Sequence, residues 1–370
     1  MASGFFDRRQ AAAVLKHGVL QRYLPVFIGK TGSRSLGKRV VYIDGYAGPG
    51  MYRDGTPGSP ELALRTAIQL AEMREAWCFF VERDRSSYET LRSHLERIGH
   101  DRWTAYRGRV EDHLDEMLSK AAGLPLFAFL DPFGMVLPLD MLTGRMLVRA
   151  SGRGGRRTPT EVLLTFSMWA VKRQAGLLDK TFPNPTRAKA RVTTLAKLDN
   201  FLGGEWWRPV WRSGAEDRIE LILDGYVDRL RRVGAGWTSW TVPVADRWGG
   251  QPEYCLIFLT QHDDGVWAFG DALSHATEDY YQFCHAGQLD LDPLSTRKAR
   301  WIDALIANLE TLLAKGRPFV ICQEMEAVFG STLGYARETH LRTALDRLHE
   351  AGRTLSDAKG PLKNKLVRPA

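Results

Sequence analysis

Short, near-continuous apolar runs bounded by turn residues, with longer helix-periodic stretches between them, constrain this chain more than any other feature. Runs of that kind mark strands buried on both faces, and buried strands alternating with helices build a parallel sheet with crossover helices. The pattern predicts strands over 39–43, 77–81, 103–106, 126–130, 161–166, 237–244 and 254–259, and helices over 11–27, 60–74, 86–98, 110–121, 137–148 and 270–284. Strand and helix alternate through residue 148, and chain chirality makes the crossovers right-handed. The expected fold class is α/β, a Rossmann-like sheet of seven strands with helices on both faces.

With 370 residues, 44% of them hydrophobic and 25% charged, the chain can bury a core that offsets its conformational entropy, which excludes wholesale disorder. A first domain is expected over 1–292 and a helical one over 293–370, opening with an amphipathic helix over 296–314. Within the tail, 324–329, a turn through Gly334, and 338–351 resemble a helix-turn-helix, with 353–355 and 365–368 pairing as a wing. Lys359, Lys363, Lys365 and Arg368 would decorate that wing, but acidic Glu338, Asp346 and Glu350 on the would-be recognition helix favour a structural or partner role over groove reading.

The apolar runs fall short of the roughly 18 to 20 residues a membrane-spanning helix needs, and residues 1–10 lack the pattern of a secretory signal. A cytoplasmic protein with no membrane partner is expected. Cys78, Cys255, Cys284 and Cys322 are scattered and read as free thiols, with no metal-ligand spacing.

The chain carries 51 Lys+Arg against 43 Asp+Glu, a formal net charge of +8. Residues 151–212 alone hold twelve Lys+Arg and four Asp+Glu, a surplus equal to that of the whole chain. Concentrated positive charge suits phosphate-bearing partners such as RNA or a nucleotide, although solvated helix faces produce the same count. The Gly/Arg stretch 151–157 and a basic, Trp-rich insertion at about 168–212, helical over 182–211, are expected to form a lid or partner surface.

The chemistry concentrates where strands end. The first strand runs into Asp44, Gly45, Tyr46, Ala47, Gly48, Pro49 and Gly50, a turn that lets a ligand approach bare backbone at the carboxyl edge of a parallel sheet. The second ends in Glu82 and Arg83, placing a carboxylate beside that turn where it can accept both hydroxyls of a ribose. A dinucleotide site would run its glycines directly into a helix, whereas here a long loop over 51–60 follows. That loop favours S-adenosylmethionine as cofactor over a nicotinamide. After the third strand, Arg109 and Asp112 are candidates to contact the adenine, or to cap the following helix. The fourth strand ends in Asp131, Pro132, Phe133 and Gly134. In amine methyltransferases the corresponding D-P-P-Y or N-P-P-Y aligns the target nitrogen through a side-chain oxygen and the proline carbonyl, so positioning does most of the catalysis.

Taken in order, Phe5-Phe6-Asp7, YIDGYAGPGMYRDGTPGSP at 42–60, FFVERD at 79–84, FAFLDPFG at 127–134 and EVLLTF at 161–166 resemble the three-Cys-motif partner family, TcmP. The resemblance implies a class I methyltransferase-like fold and association with a protein carrying a three-cysteine, iron–sulfur motif. Asp54, Gly58 and Ser59 match the family block, in a loop that closes over donor or acceptor or is simply a structural turn; Tyr46 stands where Phe is usual. The D-P-F-G form is also similar to that of tRNA guanine-N2 dimethyltransferases. The expected activity is that of an S-adenosylmethionine-dependent methyltransferase (EC 2.1.1.-) acting on a nucleobase or nucleotide-like amine, in RNA or a small molecule. A non-catalytic cofactor-binding or accessory protein is the alternative, and a nicotinamide oxidoreductase is disfavoured by the loop after Gly50.

Overall fold

The computed structural model describes residues 10–132, 134–135, 137–149, 158–233, 236–286 and 294–370. Residues 5–7, Phe133 and 151–157 lie outside this set. The described chain divides into two compact units, Leu24–Gln261 with Gln10, and Ala11–Tyr23 with His262–Ala370. The first helix, α1 (Ala11–Gly32), contributes to both.

In the first unit strands and helices alternate as β1 (Arg39–Asp44), α2 (Ser59–Gln69), β2 (Glu75–Glu82), α3 (Arg85–Ile98), β3 (Trp103–Arg107), α4 (Val110–Lys120) and β4 (Leu126–Leu130). There follow α5 (Leu139–Met141), β5 (Thr160–Ser167), α6 (Met168–Ala175), α7 (Pro185–Leu202), α8 (Trp207–Arg212), α9 (Arg218–Arg231), β6 (Thr238–Val244) and β7 (Tyr254–Thr260). The seven strands form one sheet in the order β3-β2-β1-β4-β5-β7-β6. β3, β2, β1, β4 and β5 run parallel to one another, and β7 runs antiparallel to both β5 and β6. This is the seven-stranded Rossmann-like α/β sheet that the apolar runs predict, except that the antiparallel β7 interrupts the expected parallel run. Every residue of β4 and β5 is buried, as are Val40 to Asp44 of β1, because helices cover both faces. Since β2 and β3 lie to one side of β1 and β4 and β5 to the other, the carboxyl ends of β1 and β4 flank a switch point, where open α/β sheets bind ligands.

Three stretches depart from expectation. The helix expected over 137–148 is only α5 followed by a wider π turn, Leu142–Met146, after Pro138 sets the start and with Gly144 inside the turn. Helices α6 and α9 are additions to the expected elements. α6 begins at the residue after β5, where the Ser167 hydroxyl accepts the Ala170 N–H at 3.2 Å. α9 buries Ile219, Ile222, Leu223, Tyr226, Val227 and Leu230, the i, i+3, i+4 stripe of an amphipathic helix. The Trp-rich insertion is no detached lid. Phe201 of α7 and Tyr226 of α9 pack with Phe166 of β5 at ring separations of 5.0 to 5.6 Å. Trp207 is fully buried and donates its indole N–H to Asp199 at 2.9 Å. The inner face of the insertion therefore belongs to the core, and only its outer face is available to a partner.

In the second unit α10 (Asp263–Cys284) is followed by α11 (Leu294–Leu313), β8 (Phe319–Val320), α12 (Met325–Phe329), α13 (Glu338–Glu350) and β9 (Leu366–Val367). α10 groups with this tail rather than with the sheet, although the boundary expected at residue 292 assigns it to the first domain. Its Thr277 hydroxyl donates to Gly334 O at 3.2 Å, Ser274 donates to Tyr335 O, and Glu278 holds Arg337 at 2.8 Å and Lys298 at 3.0 Å. β8 pairs antiparallel with β9, and Thr354 bridges to Pro369. Of the cations expected to decorate a wing, Lys363 pairs with Asp264, and Lys365 with Asp357 at 3.0 Å.

All four cysteines are free thiols, Cys78 and Cys255 buried. Among the described residues no helix is long and apolar enough to cross a membrane, and no group of His, Cys, Asp or Glu is placed to hold a metal.

Candidate active site

The turn after β1 is shaped by close approaches. At Gly45 a Cβ would lie 2.7 Å from Leu130 and 3.0 Å from Val110, so a side chain has no room there. Its N–H donates to Phe129 O at 3.0 Å, and the Ala47 N–H to Val81 O at 3.0 Å, so the turn bridges the ends of β4 and β2. Gly48 and Gly50 adopt φ of 62° and 85°, which favour glycine. The loop beyond doubles back as a short hairpin, with Met51 bridged to Pro57 and the Gly58 N–H on Gly50 O at 2.9 Å.

Glu82 faces this turn from the end of β2. Its Oε2 accepts the Gly48 N–H at 2.9 Å and its Oε1 the Asp84 N–H at 2.6 Å. A carboxylate has about four lone-pair sites, so each oxygen retains capacity for a further donor. Burial pushes the Glu82 carboxyl above the usual carboxylate range, and the two backbone donors act against that rise.

Gly45, Tyr46, Glu82 and Arg83 line one cleft of about 370 Å³ together with Val81, Gly108, Arg109, Val110, Glu111, Pro132, Gly134 and Met135. That volume lies within the roughly 300 to 1,000 Å³ of small-ligand sites. The structure thus brings together the ends of β1, β2, β3 and β4, as the order of the motifs implies.

Like Asp131, Asp44 is not among the lining residues. It is fully buried beneath the turn, where Oδ1 accepts the Tyr46 N–H at 3.1 Å and Oδ2 the Tyr42 hydroxyl at 3.4 Å. Burial pushes its carboxyl up to about 7; hydrogen bonds from Ser59 and Tyr46 hold it down, and the Asp131 carboxylate raises it further. Asp131, at the end of β4, thus lies within electrostatic reach of Asp44, and it also raises Tyr254. Ala47, Gly48 and Gly50 support the turn from outside the cleft.

Asp112 caps α4, its Oδ2 accepting the Arg109 N–H at 3.2 Å. Its neighbour Glu111, which no motif in the sequence singles out, enters the cleft beside Tyr46, whose phenol is raised by burial and by the Glu111 charge. Helix phase explains the exchange: the third residue of a helix turns back to its N-terminus, and the second points elsewhere. Asp54 sits in the hairpin and accepts the Thr56 N–H at 2.9 Å, while Ser59 is buried at the start of α2. Neither lines the cleft.

A second cleft of about 580 Å³ lies behind the turn, lined by Met51, Gly55, Ile68 and the polar chain of Arg65, Glu61, His94 and Arg97. Glu61 Oε2 meets His94 Nε2 at 2.8 Å, and Arg65 Nε donates to Glu61 Oε1 at 2.7 Å. Arg97 donates to His94 Nδ1 at 3.3 Å, which puts the imidazole proton on Nε2, facing Glu61. A Cβ at Gly50 would lie 3.1 Å from this imidazole, so the buried pair braces the glycine turn from below.

No family model and no curated protein matches the chain. Solved structures do. A Legionella pneumophila str. Philadelphia 1 protein of family DUF519 is 11% identical over 75% of this chain and 94% of its own, with a TM-score of 0.40. The plantazolicin methyltransferase BamL, solved with a triazolic desmethylPZN analog and SAH, is 7% identical over 70% of this chain and 89% of its own, with a TM-score of 0.36. Cofactor-bound Rv0187 from MTB is 14% identical over 68% and 88%, with a TM-score of 0.32. At identities and scores this low, these likenesses carry no argument about what this chain does.

Proposed function

We propose that the chain is an S-adenosylmethionine-dependent methyltransferase whose acceptor is a nucleobase or nucleotide-like amine, in RNA or in a small molecule. The observation that carries this reading is the single cleft shared by Glu82, the Gly45–Tyr46 turn, Glu111, Pro132 and Gly134. The residues present suit the cofactor. Glu82 keeps acceptor capacity for a ribose diol, Glu111 offers an acceptor for the adenine amine, and the buried Asp44 and nearby Asp131 supply negative charge for a cation. When bound, the cofactor supplies an electrophilic methyl group on a sulfonium.

The chain's own contribution is placement. Asp131 and the Pro132 carbonyl accept the hydrogens of the acceptor amine and so turn its lone pair toward the methyl group. A carboxylate oxygen of Asp131 takes the proton that the nitrogen sheds on methylation. The resemblance of 42–60 to the three-Cys-motif partner family adds a three-cysteine iron–sulfur protein to this proposal as a partner, with the winged-helix-like tail as its docking module.

Calorimetry with S-adenosylmethionine and its demethylated product tests the reading, and no heat from either at millimolar concentration sinks it. Asp131→Ala separates enzyme from accessory protein: the enzyme loses methyl transfer while keeping its fold and cofactor affinity.

A further inference from the structure

An aromatic and cationic patch stands at the carboxyl end of β5, the sheet neighbour of the strand that ends in Asp131. β5 pairs with β4 as far as Leu164 opposite Leu130, and α6 starts directly after β5. The Trp169 N–H donates to Glu253 O at 3.2 Å, fixing the first turn of that helix. Met168, Ala170, Val171 and Ala175 are buried, so α6 turns Trp169, Lys172 and Arg173 outward. Trp169 is 53% exposed, and the Arg173 guanidinium carbon lies 4.5 Å from its ring centroid. α7 packs beside α6, and Arg191 of α7 donates to Leu177 O, in the turn that follows α6, at 2.7 Å. Lys172, Lys180, Lys189 and Lys197 are exposed and have no ion-pair partner among the described residues. On the tail, by contrast, Lys363 and Lys365 are already paired with carboxylates.

A large ring more than half in water, with a guanidinium over it and exposed, unpaired lysines on α6, on α7 and in the segment between them, does little to hold the fold together. Its chemistry matches a nucleotide strand, in which every base has a face to stack and every phosphate a charge to neutralise. Bases within a duplex are already stacked, so one indole selects for an unpaired base. We infer that Trp169 and Arg173 form a stacking platform for an unpaired base of a single-stranded nucleic acid, with Lys172, Lys180, Lys189 and Lys197 taking neighbouring phosphates. Only the identification of that strand as the methyl acceptor rests on the function proposed above.

The test is fluorescence anisotropy of the full chain with labelled single-stranded RNA and DNA oligonucleotides of about 12 nucleotides, within the span of known single-strand sites. Trp169→Ala is expected to weaken binding about 5- to 100-fold, the loss of one base–aromatic stack, and Trp169→Phe to restore most of it. The dependence of log affinity on log salt stays the same in Trp169→Ala and flattens by about 0.7 for each phosphate that Lys172→Gln or Lys189→Gln leaves without its cation. Equal affinity of Trp169→Ala and the unaltered chain, duplex bound as tightly as single strand, or no strand bound at low ionic strength each overturns the platform. Cofactor calorimetry on the same preparations separates the two readings. Cofactor binding without strand binding overturns the platform alone, and Trp169-dependent strand binding without cofactor binding overturns the methyltransferase alone.

Discussion

The backbone N–H of Gly48 donates to Oε2 of Glu82 at 2.9 Å, so the carboxylate that ends β2 clasps the glycine turn that leaves β1. With Oε1 held by the Asp84 N–H at 2.6 Å, the carboxylate is oriented before any ligand arrives. Preorganisation of this kind lowers the cost of binding.

Glu82→Ala should therefore weaken cofactor binding about 10- to 100-fold, the loss expected when hydrogen bonds to a charged acceptor disappear. Calorimetric titration with S-adenosylmethionine measures this, and unchanged affinity would remove Glu82 from the site.

Asp44 makes stability and binding depend on pH. Its carboxyl is raised from 3.8 to about 7 in the folded chain. The folded state thus holds its proton more tightly than the unfolded state, so this contribution is complete below the unfolded value and lost as pH rises through about 7. Asp44→Asn should gain stability relative to the unaltered chain as pH climbs from about 4 to 7, then keep a constant difference. Urea unfolding across that range checks the sign. Cofactor affinity should run the other way, rising toward pH 7 as the anion forms under a cation, and this rise should vanish in Asp44→Asn.

Glu111 and Asp112 are adjacent yet have separable tasks. Asp112→Ala removes the cap on α4 and should cost about 1 kcal/mol of stability while leaving cofactor affinity intact. Glu111→Ala should do the reverse. Thermal unfolding and calorimetry on both variants decide, and equal effects on the two readouts would contradict the division.

The Glu61 side chain is 5% exposed and accepts from both His94 and Arg65. Glu61→Ala would leave the buried His94 N–H without its acceptor, which costs about 1 to 3 kcal/mol. The denaturant midpoint should fall with the slope unchanged. Loss of the brace beneath Gly50 should also loosen cofactor binding, and a variant as stable as the unaltered chain would count against the brace.

The apolar runs 39–43, 126–130 and 161–166 lie within β1, β4 and β5, because a strand buried on both faces must be apolar along its length wherever it sits. Helices α6 and α9 are harder to see. α6 is only eight residues long and starts where β5 stops, and α9 lies in a charged stretch whose apolar stripe matters only once β5 is there to receive it.

The sequence by itself determined the alternation of strand and helix, the glycine turn after Asp44 and the acids that close β2 and β4, since these depend on neighbouring residues and on backbone that only glycine tolerates. Tertiary structure decided what each acid does. Asp44 is buried beneath the turn, Asp112 is drawn back as a cap, and Glu111 enters the cleft. Strand order and helix phase set those outcomes, and both are settled by packing between segments far apart in the chain.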